Sequence, residues 1–76
     1  MIKEHDCVVL TADVPEFGLR AGDIGTVVHV HDAGRGYEVE FMTLTGETVA
    51  VATLPARDVR AVNRRDLAHT REFQAA

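Results

Sequence analysis

Apolar and polar residues alternate with a period of two over much of the first 62 positions, which is the spacing expected of β-strands with one buried face. The alternation is clearest in residues 37–41, where aromatic and aliphatic side chains occupy the odd positions and glutamates the even ones. Tyr37, Val39 and Phe41 are therefore predicted to face a core. The whole pattern predicts five strands, over residues 6–11, 23–31, 37–41, 48–54 and 59–62.

The segments between the predicted strands carry turn and loop signals. A proline and two glycines in residues 12–22 predict a long loop after the first strand. Two glycines in residues 32–36 are expected to supply the positive φ angles of a hairpin turn, and residues 55–58 begin with a proline that favours one 3₁₀ turn. This order of elements predicts an all-β fold, a small SH3-like barrel of about five strands in residues 1–62.

Two of the predicted strands carry further signals. A glycine inside a strand usually marks a bulge or a barrel corner, so we predict one at Gly25. Residues 48–54 are almost continuously apolar, which predicts a fully buried or nearly buried strand. After Gly25 the alternation predicts Thr26, Val28 and Val30 on one face, and Val27, His29 and His31 on the other.

Residues 63–76 break the alternation and are predicted to form a tail outside the barrel. Asn63 is a favourable N-cap, so residues 64–73 are predicted as a short helix. The large apolar residues of that helix, Leu67 and Phe73, are too far apart to share one face. Because an isolated helix of this length is marginal in water, the tail is expected to dock on the barrel, dock on a neighbour, or fray.

Composition restricts the setting in which this chain works. Its 76 residues are 46% hydrophobic with a formal net charge of -4, which fits one folded domain. No apolar run approaches the roughly 20 residues that span a bilayer, and the first residues are too polar for a signal peptide. The single cysteine cannot form an intrachain disulfide. We therefore expect a cytoplasmic protein with no membrane partner.

The charge is unevenly distributed along the chain. Before Asn63 there are five basic residues and ten acidic ones, whereas the tail adds three basic and two acidic residues. An acidic body with a mildly basic tail favours a basic partner over a phosphate backbone. The alternative is that the negative charge only keeps a small protein soluble.

Two histidines carry the most distinctive candidate chemistry. His29 and His31 are predicted to point outward beside Glu38 and Glu40 on the neighbouring strand. Two imidazoles and two carboxylates are a possible Zn²⁺ ligand set, or a pH-sensitive patch, since histidine titrates near neutrality. The simpler interpretation is cross-strand charge pairing on a solvated face, because nothing encloses the four side chains.

Catalytic motifs are absent from the sequence. Cys7 lies in an apolar run and is predicted to be a small core residue rather than a thiolate nucleophile. No serine–histidine–aspartate arrangement, P-loop or dinucleotide-binding motif is present. We predict no enzymatic activity and no cofactor. Nucleic acid is a disfavoured partner, because its binding needs a basic face and exposed aromatic rings.

Several stretches resemble a known family. Over about residues 3–62 the chain resembles the small bacterial domain-of-unknown-function family numbered four-nine-two-six. The resemblance implies an SH3-like barrel in a stand-alone bacterial protein, and a small partner of an adjacent protein in the style of a toxin–antitoxin pair. It implies no catalytic residues. The stretches are VVLT at 8–11 with PE at 15–16, GLRAGDIGTVV at 18–28, and YEVEF at 37–41 with GET at 46–48.

The sequence thus predicts a non-enzymatic protein-binding module that covers a basic surface of a partner protein, as an antitoxin-like small partner would. Apolar anchors are expected from Phe17, Leu44 or Phe73. Two alternatives stay open: an RNA-associated, KOW-like barrel, and a homo-oligomer assembled through residues 63–76. The predicted partner-binding residues are Asp13, Glu16, Phe17, Glu38, Glu40 and Glu47.

Overall fold

Five antiparallel strands form a single sheet in the computed structural model, which describes residues 1–75. The order of the strands across the sheet is β4-β3-β2-β1-β5. The predicted all-β class and the predicted number of strands are confirmed. In chain order the strands are β1 (Cys7–Leu10), β2 (Ile24–His31), β3 (Gly36–Met42), β4 (Thr48–Pro55) and β5 (Val59–Ala61).

The two edge strands, β4 and β5, are joined by the 3₁₀ turn Ala56–Asp58. The N–H of Thr11, just after β1, donates to the Asp58 carbonyl over 2.8 Å. The N–H of Ala56 donates to the Arg35 carbonyl in the β2–β3 turn over 2.9 Å. These bonds tie the turn to both halves of the sheet, so the short strands curl into the small SH3-like barrel that the sequence predicts.

The inward-facing side chains form one apolar core. Tyr37, Val39 and Phe41 are all buried, which confirms their predicted direction. Within residues 1–75 no polar or charged residue is buried, so burial of apolar surface is what holds the core together. The buried cluster consists of Val8, Leu10, Val14, Leu19, Val27, Tyr37, Val39, Phe41, Ala52, Leu54 and Val59.

Gly25 lies where β2 passes directly over core side chains of β3. A Cβ atom at this position would stand 2.5 Å from Cγ1 of Val39 and 2.9 Å from Cε1 of Phe41, closer than real Cβ contacts. Gly25 pairs regularly with Phe41 and with Val8, so of the two features predicted at this glycine, a bulge or a barrel corner, the bulge is wrong. The glycine is needed for close approach of the two strands.

The bulge in β2 lies three residues later. Val27 is opposite Val39 and His29 is opposite Glu38, so Val28 is the extra residue. Val27 is therefore fully buried beside Val39, while Val28 is 41% exposed. The prediction that Val27 shares a face with the two histidines is wrong, because a bulge shifts the alternation by one residue.

Strand β4 alternates, contrary to the buried run predicted for residues 48–54. Ala52 and Leu54 are buried, whereas Val51 is 46% exposed and Thr53 is also exposed. As an edge strand of a single sheet, β4 has one face toward the core and one toward solvent, whatever the hydrophobicity of its residues.

Two local predictions are also corrected by the structure. Cys7 is exposed rather than part of the core, because Val8 occupies the neighbouring inward position on β1. In the β2–β3 turn, positive φ angles occur at Asp32 (49°), Ala33 (56°) and Gly34 (99°). Gly36 begins β3, so only one of the two glycines serves the turn.

The tail contains no helix in residues 63–75, so the helix predicted over residues 64–73 is wrong. Asn63 caps only a single turn, in which its side chain accepts a hydrogen bond from the Arg65 N–H over 2.9 Å. Leu67 is 92% exposed, and only Phe73 packs against the core, so no apolar stripe stabilises a helix. Ala76 lies outside the described residues. Nowhere in residues 1–75 is there a helix with the length and apolar character of a membrane span.

The bulge in β2 gives a test with two nearly isosteric substitutions. Val27→Thr places a hydroxyl in the core and should lower the free energy of unfolding by about 1–3 kcal/mol. Val28→Thr, on the exposed bulge, should change it by less than about 0.5 kcal/mol. Urea unfolding followed by circular dichroism measures both values. Equal effects of the two substitutions would contradict the bulge position.

Candidate functional site

A groove of about 570 Å³ lies at one end of the barrel, between the β1–β2 loop and the β3–β4 loop. Residues 68–73 of the tail form one of its walls. Its polar lining includes Asp23 and two threonines of the β3–β4 loop. The apolar lining from the barrel comprises Leu19, Ile24, Phe41, Met42, Leu44 and Val49.

Three of these apolar side chains are strongly exposed. Ile24 is 45% exposed, Met42 is 47% exposed and Leu44 is 90% exposed. Ile24 and Met42 come one position beyond the Gly25–Phe41 pair on adjacent strands, so the alternation turns both side chains away from the core. Scattered exposed apolar residues are normal, whereas three around one groove form a candidate binding surface.

The β1–β2 loop is held in a defined shape on its side of the groove. Val14 and Leu19 are both buried and form a β-bridge, which closes the loop around the 3₁₀ turn Pro15–Phe17. Gly18 has a φ angle of 70°, which suits glycine. The Asp13 carboxylate accepts a hydrogen bond from the Ala21 N–H over 2.8 Å. The loop is therefore a preformed wall of the groove.

The β3–β4 loop forms the opposite side. The Thr43 N–H donates to the Glu47 carbonyl over 2.8 Å, and the Thr43 hydroxyl accepts from the Glu47 N–H over 3.1 Å. Gly46, with a φ angle of 96°, makes the turn. This short closed loop leaves the Leu44 side chain almost fully in solvent.

Arg71 attaches the tail to the edge of the groove. Its Nε donates to Oδ1 of Asp23 over 2.8 Å, and its Nη2 donates to Oδ2 of the same carboxylate. Nη2 also donates to the Gly18 carbonyl over 3.0 Å. The Arg71 side chain is 27% exposed and that of Asp23 18% exposed, so this two-bond ion pair is partly shielded from water.

The charges of this ion pair affect both of its members. Burial acts to raise the pKa of Asp23, but hydrogen bonds from the Arg71 guanidinium and the Arg20 N–H outweigh it, and the pKa falls below its usual value. The pKa of Arg71 is raised, chiefly by the hydrogen bond to Asp23, and the negative charge of Asp13 contributes in the same direction. Asp13 and Asp23 thus act together on the guanidinium.

The predicted partner-binding residues fall into two groups. Asp13, Glu16 and Phe17 belong to the β1–β2 loop, and Glu47 belongs to the β3–β4 loop, so these four lie in the loops that border the groove, although none of them lines it. The remaining two, on the outer face of β3, are engaged elsewhere. Glu38 contacts His31, and Glu40 accepts a hydrogen bond from the Thr48 hydroxyl over 2.6 Å.

The two histidines lie together, as the sequence suggests. The rings of His29 and His31 are 4.5 Å apart in an edge-to-face arrangement. Nδ1 of His29 is 3.6 Å from Oε2 of Glu4, and Nε2 of His31 is 3.4 Å from Oε1 of Glu38, a contact without hydrogen-bond geometry. Within residues 1–75 no group of three or more histidine, cysteine, aspartate or glutamate side chains is arranged to hold a metal ion. Each imidazole instead faces its own carboxylate.

Four residues on which the groove depends were not identified from the sequence: Ile24, Met42, Asp23 and Arg71. A signal for the first two was present, because each precedes or follows an inward position in an alternating strand. No local signal marks Arg71, since its partner Asp23 is 48 positions away in the chain.

The ion pairs of the tail predict that docking depends on acid pH. A carboxyl group with a depressed pKa stabilises the folded state above its unfolded pKa and loses that effect as the pH falls through its folded value. The pKa of Asp23 is lowered from 3.8, and hydrogen bonds from Arg60 and the Asn63 N–H lower that of Asp66 to about 2. The docking of Arg71 should therefore be complete well above the ordinary pKa of Asp23 and weaken as the pH falls below it, and the Arg60–Asp66 pair should be lost only near pH 2.

Methyl NMR of the two methionines measures this docking. Met42 lines the groove and should report release of the tail, whereas Met1 serves as an internal control. The Arg71→Ala variant gives the undocked signal, toward which the Met42 methyl of the wild-type chain should move in acid. A Met42 signal that stays in its docked position at pH 2 would contradict the assigned role of the ion pairs.

Comparison with known proteins gives one result. Residues 4–61 match the family DUF4926, described as a domain of unknown function. The match takes in all five strands and both loops that border the groove, and it ends before the tail. No curated protein and no solved structure matches the chain. The family resemblance found in the sequence is confirmed, and the chain belongs to the DUF4926 family.

Proposed function

We propose that this chain is a non-enzymatic protein-binding module of the bacterial cytoplasm, which uses the groove end of its barrel to cover a basic surface of a partner protein in an antitoxin-like manner. The observation that carries this proposal is the cluster of exposed apolar side chains, Ile24, Met42 and Leu44, around a groove between two preformed loops.

The apolar cluster supplies the contacts from which affinity comes. Ile24, Met42 and Leu44 are each 45% or more exposed in the free chain, so they have apolar surface to remove from water on binding. The loops that carry or adjoin them are closed by their own hydrogen bonds, so little conformational entropy is lost when a partner docks. An apolar centre between two polar loops is the usual arrangement of a protein–protein interface.

The charge of the body supports a basic partner. Its five basic and ten acidic residues give the region before Asn63 a net charge of -5. Glu16 and Glu47, in the two loops beside the groove, are both exposed. Acidic groups around an apolar centre attract a basic surface and speed its encounter, and they add less to the final affinity than the apolar contacts do.

Two features support a non-catalytic role and disfavour RNA. Of the two carboxylates that line the groove, those of Asp23 and Glu72, the one contributed by the barrel, Asp23, is already bound to Arg71 and is not free to act as a general base. Tyr37 and Phe41 are buried in the core and cannot stack on bases. A protein partner is therefore a better match to this surface than a single-stranded nucleic acid.

The proposal predicts the effect of charges introduced into the apolar cluster. The full chain is used as bait in its own host, and the stoichiometric partner is then purified for binding measurements. Met42→Asp with Leu44→Asp should weaken that complex by at least about 100-fold, the loss expected of two interface hot spots. The matched control is Val51→Asp, since Val51 is 46% exposed on the outer face of β4 and outside the groove lining.

Other outcomes would support the alternatives instead. Binding of structured RNA at physiological salt, with no protein partner, would favour an RNA-associated barrel. A stable homo-oligomer in light scattering would favour self-assembly, through residues 63–76 if removing them restores the monomer. A protein complex that is unaffected by the double substitution would mean that another surface binds the partner.

A further inference from the structure

We propose that the groove recognises a basic peptide segment of the partner in which an arginine is followed two residues later by an aromatic residue. In this proposal, which rests on the protein-binding function above, residues 71–73 of the tail are the intramolecular occupant of that peptide site. The juxtaposition of an acidic notch and an apolar slot carries the inference.

The notch is built for a guanidinium group. The Asp23 carboxylate accepts two parallel N–H groups of Arg71, and the Gly18 carbonyl accepts a further bond from Nη2. The second acidic group, Asp13, adds its charge from the same loop. A planar group with fixed donors satisfies all of these acceptors at once, whereas an ammonium group would not reach both the carboxylate oxygens and the carbonyl.

The apolar slot lies two residues further along the bound chain. Phe73 lines the groove and packs against the core cluster, while Glu72 between the two anchors is exposed. Phe73 follows Arg71 by two positions, so the notch and the slot are filled by side chains separated by one residue of the bound chain. The spacing of the notch and the slot therefore favours a peptide segment in which an arginine is followed by any one residue and then by an aromatic residue.

The tail behaves as a ligand of the barrel rather than as part of it. The family match ends at residue 61, and residues 63–75 contain no helix or strand. Beyond the clamp of Arg60 on Asp66 at its base, the tail is attached to the barrel by the hydrogen bonds of Arg71 and the packing of Phe73. Leu67, its other large apolar residue, is 92% exposed.

A partner segment can displace the tail because the tail uses only part of the surface. Met42 and Leu44 remain 47% and 90% exposed with the tail in place. The tethered tail competes at an effective concentration on the order of millimolar. A partner segment must therefore bind the groove more tightly than the tail segment does in order to displace it. Contacts with the apolar side chains that the tail leaves uncovered supply the difference, and the negative charge of the body selects a basic segment.

The test uses a synthetic peptide with the sequence of residues 67–75 and the full-length chain with Arg71→Ala and Phe73→Ala, which empties the groove. Binding is followed through the Met42 methyl signal. The emptied chain should bind the peptide, and the wild-type chain should bind it at least about tenfold more weakly because its own tail competes. Peptides that carry alanine in place of the arginine or the phenylalanine should each bind at least about tenfold more weakly.

Matched variants of the emptied chain locate the site. Asp23→Asn should reduce peptide binding at least about tenfold, because it removes the charge that pairs with the guanidinium. Glu38→Gln removes the same charge from the outer face of β3, outside the groove lining, and should leave binding unchanged. Equal effects of the two substitutions would overturn the assigned site.

Three results would overturn the proposal. The first is that the peptide does not bind saturably to the emptied chain, although the amide spectrum shows that this chain is folded. If that double variant does not fold, the single variant Arg71→Ala is titrated instead, and binding that is independent of the peptide arginine overturns the proposal. The third is a wild-type dimer with exchanged tails, which would assign the groove to a second copy. If the peptide does not bind, but the full chain still captures its partner and this capture depends on Met42, then this inference is wrong and the proposed function stands.

Discussion

The close approach of β2 to the core side chains of β3 at Gly25 is the constraint on which the barrel depends. A Cβ atom there would overlap Val39 and Phe41, so any larger residue would push the two strands apart. The bulge at Val28 lies three residues further along β2 and increases the local twist of the strand. Together they keep Gly25 and Val27 in the core and turn His29 outward, while Val30 after the bulge packs against the core again. Short strands can then curl around a core in which, within residues 1–75, no polar or charged residue is buried.

The same crossing also determines where the groove lies. Because Gly25 and Phe41 pair with their inner faces on the core, the next residue on each strand, Ile24 and Met42, must face away from it. Asp23 comes one position earlier, at the end of the β1–β2 loop, and is held there by its bond to the Arg20 N–H. Three consecutive residues, Gly25, Ile24 and Asp23, thus contribute in turn to the core packing, the exposed apolar surface and the acidic notch.

The ion pair between Arg71 and Asp23 contributes more to the orientation of the bound guanidinium group than to the stability of the fold. Partial burial costs both groups hydration, which offsets much of their attraction. What the pair does well is to select a guanidinium in one geometry, since the carboxylate and the Gly18 carbonyl fix its plane. For a chain of 76 residues with a small core, any segment bound in the groove adds apolar burial, and a partner adds stability that grows with the logarithm of its concentration relative to its Kd.

The sequence by itself determined the fold class, the number and order of the strands, the inward face of β3 and the family, because alternation and turn residues are local signals. Local signals failed where distant residues decide the outcome. The bulge at Val28 depends on how β2 meets β3, and the exposed face of β4 depends on its place at the edge of the sheet. The path of the tail depends on an acceptor 48 positions earlier, since residues 64–73 lack the apolar stripe that would make a helix on its own. Only the tertiary structure could form the groove, because its two loops and the tail are separate in the chain and are brought together by the closure of the barrel.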